Sequence, residues 1–454
     1  MIKKILVANR GECATRIIRA CRELGVATVA VCATADRRAP FALLADESYC
    51  LGPAYAGHSY LSIDRLIAIA KRTGSEAIHP GYGFLAENPA FAQACEDSGI
   101  LFIGPSSQAI AAMGQKVNAR RLVEQAGVPI VPGSGAISSY VEAQQEARRI
   151  GFPVIVKPSA GSRGIGIRVA EDETRLAEAL RMTQSIARSA FGEPIVYLEK
   201  YLSRPRHIEF QIIADAHGNI VHLGERECSI QRRRQKLLEE APSPVVTPEL
   251  RAEMGAAAIR IARAVGFLNA GTVEFALSGG KFYFLAMNTC LQVGHPVTEE
   301  LTGIDLVKEQ VRITSGEPLS FRQEDVRHMG WAVECRVNAE DPLANFTPSL
   351  GRITAYRPSG GIGIRVDSGV GLGQKISPFY DPLLAKLIAR GRDREEALQR
   401  ASRALSEFSI RGMATNLLYL RAVIENNDFR RGDYSTHFLE EHPNLLTEVQ
   451  KLAG

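Results

Sequence analysis

Two strand-like runs around a Gly-Gly pair constrain this chain more than any other feature. Gly271-Thr272-Val273-Glu274-Phe275-Ala276-Leu277 and Phe282-Tyr283-Phe284-Leu285-Ala286-Met287-Asn288 are rich in β-branched and aromatic residues, and Ser278-Gly279-Gly280 lies between them. Glycine takes the positive φ of a tight turn without steric cost, so the pattern predicts a β-hairpin. With 278–280 as the turn, 277 opposes 281 and 274 opposes 284. Simple alternation then places Phe282, Phe284, Ala286 and Asn288 on one face, together with Glu274. An acid and an amide projecting from one sheet face can offer oxygen ligands to a hard cation such as Mg²⁺. The alternative is a buried polar pair tied into the fold.

At 454 residues the chain has room for about two to four structural units. Residues 1–113 alternate strands (5–8, 27–32, with further strand-to-loop transitions at 77–83 and 101–105) with helical segments such as 12–24, which predicts a parallel, doubly wound α/β sheet. No G-x-G-x-x-G follows the first strand, so a dinucleotide site is unsupported. His79, beside Pro80, reads as structural. Residues 114–203 form a second unit, with Lys116 opening a helix, Lys157 ending a strand, and Ala160-Gly161-Ser162-Arg163-Gly164-Ile165-Gly166 following it. A glycine-rich loop lets backbone N–H groups approach phosphate oxygens, and lysine adds charge. A hairpin whose glycines only satisfy turn geometry is the other reading. Residues 331–446 predict a closing α+β unit with strands at 352–356, 362–367 and 385–390 and a helix at 394–408.

The net charge of +4 is too mild to call for nucleic acid; the run Arg232-Arg233-Arg234 suits an anionic small molecule or a solvated face. Eight scattered cysteines fit a reducing cytoplasm better than a disulfide framework. The apolar run at the start is too short for a signal peptide, and none reaches the ~18 residues of a membrane span. A cytoplasmic protein without a membrane partner is expected.

The segment Leu285-Ala286-Met287-Asn288-Thr289-Cys290-Leu291-Gln292-Val293-Gly294-His295-Pro296-Val297-Thr298-Glu299 resembles the signature E-M-N-T-R-x-Q-V-E-H-P-V-T-E of biotin carboxylases, which are ATP-grasp ligases. Residues 8–12, 79–88, 225–236 and 331–341 also match motifs of that family, and the resemblance runs from residue 2 to about 440. It implies an α/β ATP-grasp fold with an N-terminal doubly wound domain (1–113), an ATP-grasp domain (114–330, with a mobile lid at about 131–203) and a C-terminal α+β domain (331–446). It also implies the family reaction, in which ATP activates bicarbonate to carboxyphosphate and biotin on a carrier protein is then carboxylated.

By resemblance, ATP is held by Lys116, Lys157, Gly161, Gly164, Gly166, Glu199, Lys200, Leu202, His207 and Gln231, and Mg²⁺ by Glu274 and Asn288. Lys236, Gln292, Val293 and Arg336 fall at positions for bicarbonate and biotin, with Arg336 stabilising the biotin enolate. Arg16, Arg19, Glu23 and Arg365 match positions that build the family's symmetric dimer. The chain lacks an A-M-K-M lysine motif, so biotin is expected on a separate biotin carboxyl carrier protein. Carboxyltransferase subunits, as in acetyl-CoA carboxylase of fatty acid biosynthesis, would be further partners, and the chain would pair as a homodimer or with an active paralogue.

The frame is kept and several charged side chains are not. Ala286 stands where the family has a metal-binding Glu, Cys290 where it has an Arg for bicarbonate and biotin, and Gly294 where it has the Glu proposed as general base. Ser162, Arg163 and Ile165 interrupt the glycine loop, and Arg234 stands where the family usually has His. Two expectations follow. Catalysis is severely impaired, leaving a silent subunit with binding or regulatory use; or the enzyme is active, with Arg163, Arg234 or a Cys290 thiolate as replacement groups.

Overall fold

The computed structural model describes residues 1–159 and 166–453. β1 (Lys4–Val7), β2 (Ala27–Ala33), β3 (Glu47–Gly52), β4 (Ala77–His79) and β5 (Leu101–Phe102) form a parallel sheet in the order β3-β2-β1-β4-β5. Helices cover both faces, so the inner strands are apolar throughout rather than alternating. Helix Gly11–Glu23 packs Ala14, Ile17, Ile18 and Cys21 with Ile5 and Val7 on one side, and helix Ile63–Thr73 packs Leu66 and Ala70 with Leu6 and Ile78 on the other. His79 is structural, as its sequence context predicts: it is fully buried, Gly81 N–H donates to its Nδ1 (3.1 Å), and burial pushes its pKa down to about 3.

A smaller antiparallel sheet follows, in the order β7-β6-β8, from β6 (Val154–Pro158), β7 (Arg168–Ala170) and β8 (Val196–Lys200). Helices Tyr140–Ile150 and Glu173–Phe191 pack against it. Gly161, Gly164 and the residues between Ser159 and Gly166 lie outside the described residues.

The third sheet has eight antiparallel strands. In chain order they are β9 (Arg206–Ala214), β10 (Ile220–Arg232), β11 (Gln235–Ala241), β12 (Asn269–Ser278), β13 (Lys281–Asn288), β14 (Trp331–Asn338), and the strands Ile364–Ser368 and Leu383–Gly391. The spatial order is β13-β12-β9-β10-β11-β14, then Leu383–Gly391 and Ile364–Ser368. Because β11 pairs with β14 (Leu238↔Cys335, Glu240↔Val333), the sheet runs unbroken across residue 330, where the sequence suggested a boundary. The strand expected at 352–356 starts later, at Ala355–Arg357.

The hairpin differs from simple alternation in two ways. Its turn is Gly279-Gly280 alone, at φ 58° and 73°, so Ser278 opposes Lys281. Further along, Leu285 is an extra residue: Phe275 opposes Phe284, yet Glu274 opposes Ala286. Such a bulge changes the phase of the strand. Phe282 and Phe284 therefore enter the core with Met287, while Asn288 reaches Glu274 on the opposite face. The face shared by Phe282, Phe284 and Asn288, expected from sequence, does not exist.

The positions expected to serve a dimer cluster at one place. Arg16 and Arg365 both bind Glu299 (2.8 Å each), while Arg19 and Glu23 are exposed on the same helix as Arg16. No helix among the described residues is long and apolar enough to cross a membrane.

Arg226 binds the large sheet together from inside. Fully buried, it donates from Nε to Glu209 Oε1 (2.6 Å), from Nη1 to Gln211 Oε1 (2.8 Å) and Thr298 Oγ1 (3.0 Å), and from Nη2 to Thr272 Oγ1 (3.0 Å). Removing one partner of a buried pair leaves the other charge uncompensated, at a cost of about 3–5 kcal/mol. Arg226→Met is expected to lower the thermal unfolding midpoint by several degrees in calorimetry. An unchanged midpoint would show that the network does not hold the sheet.

Candidate active site

Glu274 on β12 and Glu209 on β9 stand directly opposite each other across neighbouring strands. Like charges so placed repel, and the fold answers with a cation between them. Lys236 of β11 donates from Nζ to Glu209 Oε2 (2.5 Å) and Glu274 Oε1 (2.8 Å). Asn288 Nδ2 donates to the same Glu274 oxygen (2.9 Å), and His207 Nε2 lies 3.4 Å from it. Burial opposes ionisation of both acids, but the neighbouring cations win. Arg226 and Lys236 bring Glu209 down to about 2, and Lys236 and His207 hold Glu274 well below the usual carboxylate range. The two carboxylates in turn overcome burial and raise Lys236 above the ordinary lysine value. Glu209 was not singled out from sequence, although the alternation of 206–211 places it on the face of His207.

The ligating atoms of His207, Glu209 and Glu274 lie within 4.8 Å of one another, which resembles a metal cluster. The residues do not fit one held by Glu274 and Asn288. Lys236 already bridges the two acids, Asn288 turns its N–H group to Glu274, and the residue opposite Glu274 is Ala286, which has no ligand to give.

Beside this cluster opens a cleft of about 760 Å³. Of the residues expected to hold nucleotide, Lys157, Glu199, Lys200, Leu202, His207 and Gln231 line it. The buried Glu199 carboxylate is shared by Arg120 and Lys157, and Lys200 Nζ donates to the carbonyls of Gly151 (2.9 Å) and Phe152 (2.8 Å). Lys116 is not among the lining residues, but it lies within the field of Lys157 and Glu199. Burial, aided by Lys157, pushes its ammonium pKa down to about 8. Gly166 is buried behind the cleft, where a Cβ would meet Ile186 at 3.0 Å.

Sequence reasoning did not find Arg168, Leu285 or the C-terminal contributors His437 and Glu440. No local pattern at 437 or 440 signals a cleft built mostly from strands far upstream. Arg233 and Arg234 form the two-residue turn between β10 and β11 (Arg232↔Gln235), at φ 50° and 65°. Glycine and asparagine usually occupy such positions, so the two arginines, which line the cleft, sit on a strained turn.

The remaining positions gather on β14 and the segment after β13. Arg336 pairs with Glu239, which is fully buried, and Glu239 Oε2 has no hydrogen-bond partner among the described residues. A Cβ at Gly294 would meet Glu239 Cγ at 3.1 Å and Cδ at 3.3 Å, so Glu239 borders position 294. Lys386, also fully buried, donates to the Val293 carbonyl (3.1 Å) and pairs with Glu12 (3.3 Å). Gln292 turns its amide toward Cys290 Sγ (3.7 Å). Burial, and secondarily Glu87, raise the Cys290 thiol well above its ordinary value. Arg163 lies outside the described residues.

The chain matches three family signatures. Residues 1–110 match the biotin carboxylase N-terminal domain, 115–322 the ATP-binding domain of the carbamoyl-phosphate synthase L chain, and 334–441 the biotin carboxylase C-terminal domain. It is 53% identical over 445 residues to biotin carboxylase 1 of Bacillus subtilis, covering 97% of this chain and 99% of that one. It is 50% identical over 443 residues to the biotin carboxylase of Haemophilus influenzae, again covering 97% and 99%. The crystal structure of the biotin carboxylase domain dimer of Hydrogenobacter thermophilus 2-oxoglutarate carboxylase, in complex with MgADP, ADP and bicarbonate, superposes with a TM-score of 0.95. The two are 47% identical, and the match covers 98% of both chains.

The environment of Cys290 generates a direct check. Thiolates, not thiols, react with alkylating agents. At mildly alkaline pH, iodoacetamide is expected to label the exposed Cys50 and spare Cys290 until the protein is denatured, as read by peptide mass mapping. Labelling of Cys290 as fast as Cys50 would contradict this assignment.

Proposed function

The chain belongs to the biotin carboxylase family, and on that premise we propose that it is the biotin carboxylase-type subunit of a multi-subunit biotin-dependent carboxylase, with severely impaired turnover of its own. One observation carries the second half: Ala286, Cys290 and Gly294 stand together, on one stretch, where the family reaction needs charge. In this reading the cleft lined by Lys157, Lys200, His207 and Gln231 takes ATP, with Lys116 beside it. Residues 1–113, 114–330 and 331–446 act as its three functional parts.

Bicarbonate would meet Lys236 and Arg336, but Lys236 is engaged by two carboxylates and Arg336 by Glu239. No cationic side chain stands at 290 to hold the anion, and no carboxylate at 294 to deprotonate it. Loss of one preorganised transition-state partner costs on the order of 3 kcal/mol, or 10²–10³ in rate. Losses within one site do not simply add, yet several together remove useful turnover. Such a protein would serve by binding: to a biotin carboxyl carrier protein, to carboxyltransferase subunits, and to a second copy or an active paralogue, in the cytoplasm.

Glu239 favours a second reading, an active enzyme. Its unpartnered oxygen and its contact with the position of a Cβ at 294 put a carboxylate near the missing base. ADP release with ATP, Mg²⁺, bicarbonate and free biotin separates the two. The unaltered chain is expected to show no biotin-dependent release, and the combined variant Ala286→Glu, Cys290→Arg, Gly294→Glu to gain it. Biotin-dependent turnover by the unaltered chain, abolished by Glu239→Gln, would establish the second reading instead.

Lys116 makes nucleotide binding depend on pH. Its ammonium, charged below about 8, attracts phosphate and loses that attraction as pH rises past this value. ATP affinity measured by calorimetry is expected to fall between neutral and alkaline pH. Lys116→Gln should weaken binding about tenfold at neutral pH, the scale of one charge-assisted hydrogen bond, and flatten the profile.

A further inference from the structure

We infer that this chain binds nucleoside di- and triphosphates without a divalent cation, their charge met by its own side chains. The inference rests on the nucleotide reading of the cleft and goes beyond it.

The first support is the state of the acids. Glu209 Oε1 accepts from Arg226 and Oε2 from Lys236, and Glu274 Oε1 accepts from Lys236 and Asn288. Three of the four carboxylate oxygens are therefore already bonded, leaving Glu274 Oε2 without such a donor among the described residues. Two acids and two bases also balance: Glu209 and Glu274 against Arg226 and Lys236. A divalent cation entering here would meet a neutral cluster with an ammonium at its centre. Mg²⁺ demands near-octahedral oxygen coordination and normally draws on carboxylates that are free to ligate. Across from Glu274, at 286, there is only a methyl group.

The second support is the charge of the cleft. Among its described lining residues stand Lys157, Arg168, Lys200, Arg206, Arg233 and Arg234, against the acids Glu199 and Glu440. Glu199 pairs with Arg120 and Lys157, and Arg206 pairs with Glu227, which leaves Arg168, Lys200 and Arg233 without an ion pair among the described residues. Arg233 and Arg234 form the strained turn and line the cleft, where burial foremost, and then Arg168, lowers the Arg234 guanidinium against the opposing pull of Glu440. Guanidinium groups pair with phosphate oxygens bidentately.

The test is calorimetric titration of the full chain with ATP, once in EDTA and once in millimolar Mg²⁺. The two Kd values are expected to agree within about threefold, under 1 kcal/mol. Binding that Mg²⁺ tightens by about tenfold or more would overturn the inference while leaving the nucleotide reading intact. No ATP binding in either buffer would overturn both. Ala286→Glu is expected to create a Mg²⁺ dependence of about tenfold, and a variant as indifferent to Mg²⁺ as the parent would also count against the inference. Should that variant fail to fold, the two titrations of the unaltered chain still decide.

Discussion

Two carboxylates stand shoulder to shoulder on β9 and β12, and the chemistry around them follows from how their charge is met. Buried anions this close cannot both ionise unless cations lie within hydrogen-bond reach. The fold supplies two, from two further strands: Arg226 on β10 and Lys236 on β11. Four strands are therefore locked in register by one network. Lys236 and Glu274 are at once structural and part of the candidate site, so site and scaffold cannot be separated.

The segment after β13 is uncharged where it lies closest to that network. Positions 290 and 294 carry no charged side chain, and burial raises the carboxyl of Glu87, which lies beside Cys290. Cys290 is buried as a neutral thiol, and Glu239, paired with Arg336, closes on Gly294. The register of the sheet is held by this network, and positions 286, 290 and 294 contribute no charged side chain to it.

Much of this was legible in the sequence, for identifiable reasons. Strong local signals carried the parallel sheet at the start, the hairpin at Gly279-Gly280 and the structural role of His79. Motif resemblance carried the family and the cleft-lining residues on β8, β9 and β10. Three things were hidden. Leu285 is chemically suited to either face, so nothing local announces a bulge. His437 and Glu440 reach the cleft only because the chain's end folds back over it. The engagement of Lys236 by both acids depends on a register between β9, β11 and β12 that periodicity does not reveal. The continuity of the large sheet past residue 330 was missed for the same reason, since β11 and β14 pair across a long stretch of intervening chain.

The bulged strand also touches the smaller unit where that unit is rooted. Phe284 N–H donates to the Pro129 carbonyl (2.8 Å), and Lys200 N–H donates to the Pro132 carbonyl (2.8 Å). The two ends of the segment 131–203 are thus clasped to each other, and the entering end is pinned to the residue just before Leu285 and Ala286. The smaller unit is thus hydrogen-bonded at its root to the strand that carries Ala286, two residues from the contact. A side chain added at 286 would stand beside that root as well as opposite Glu274.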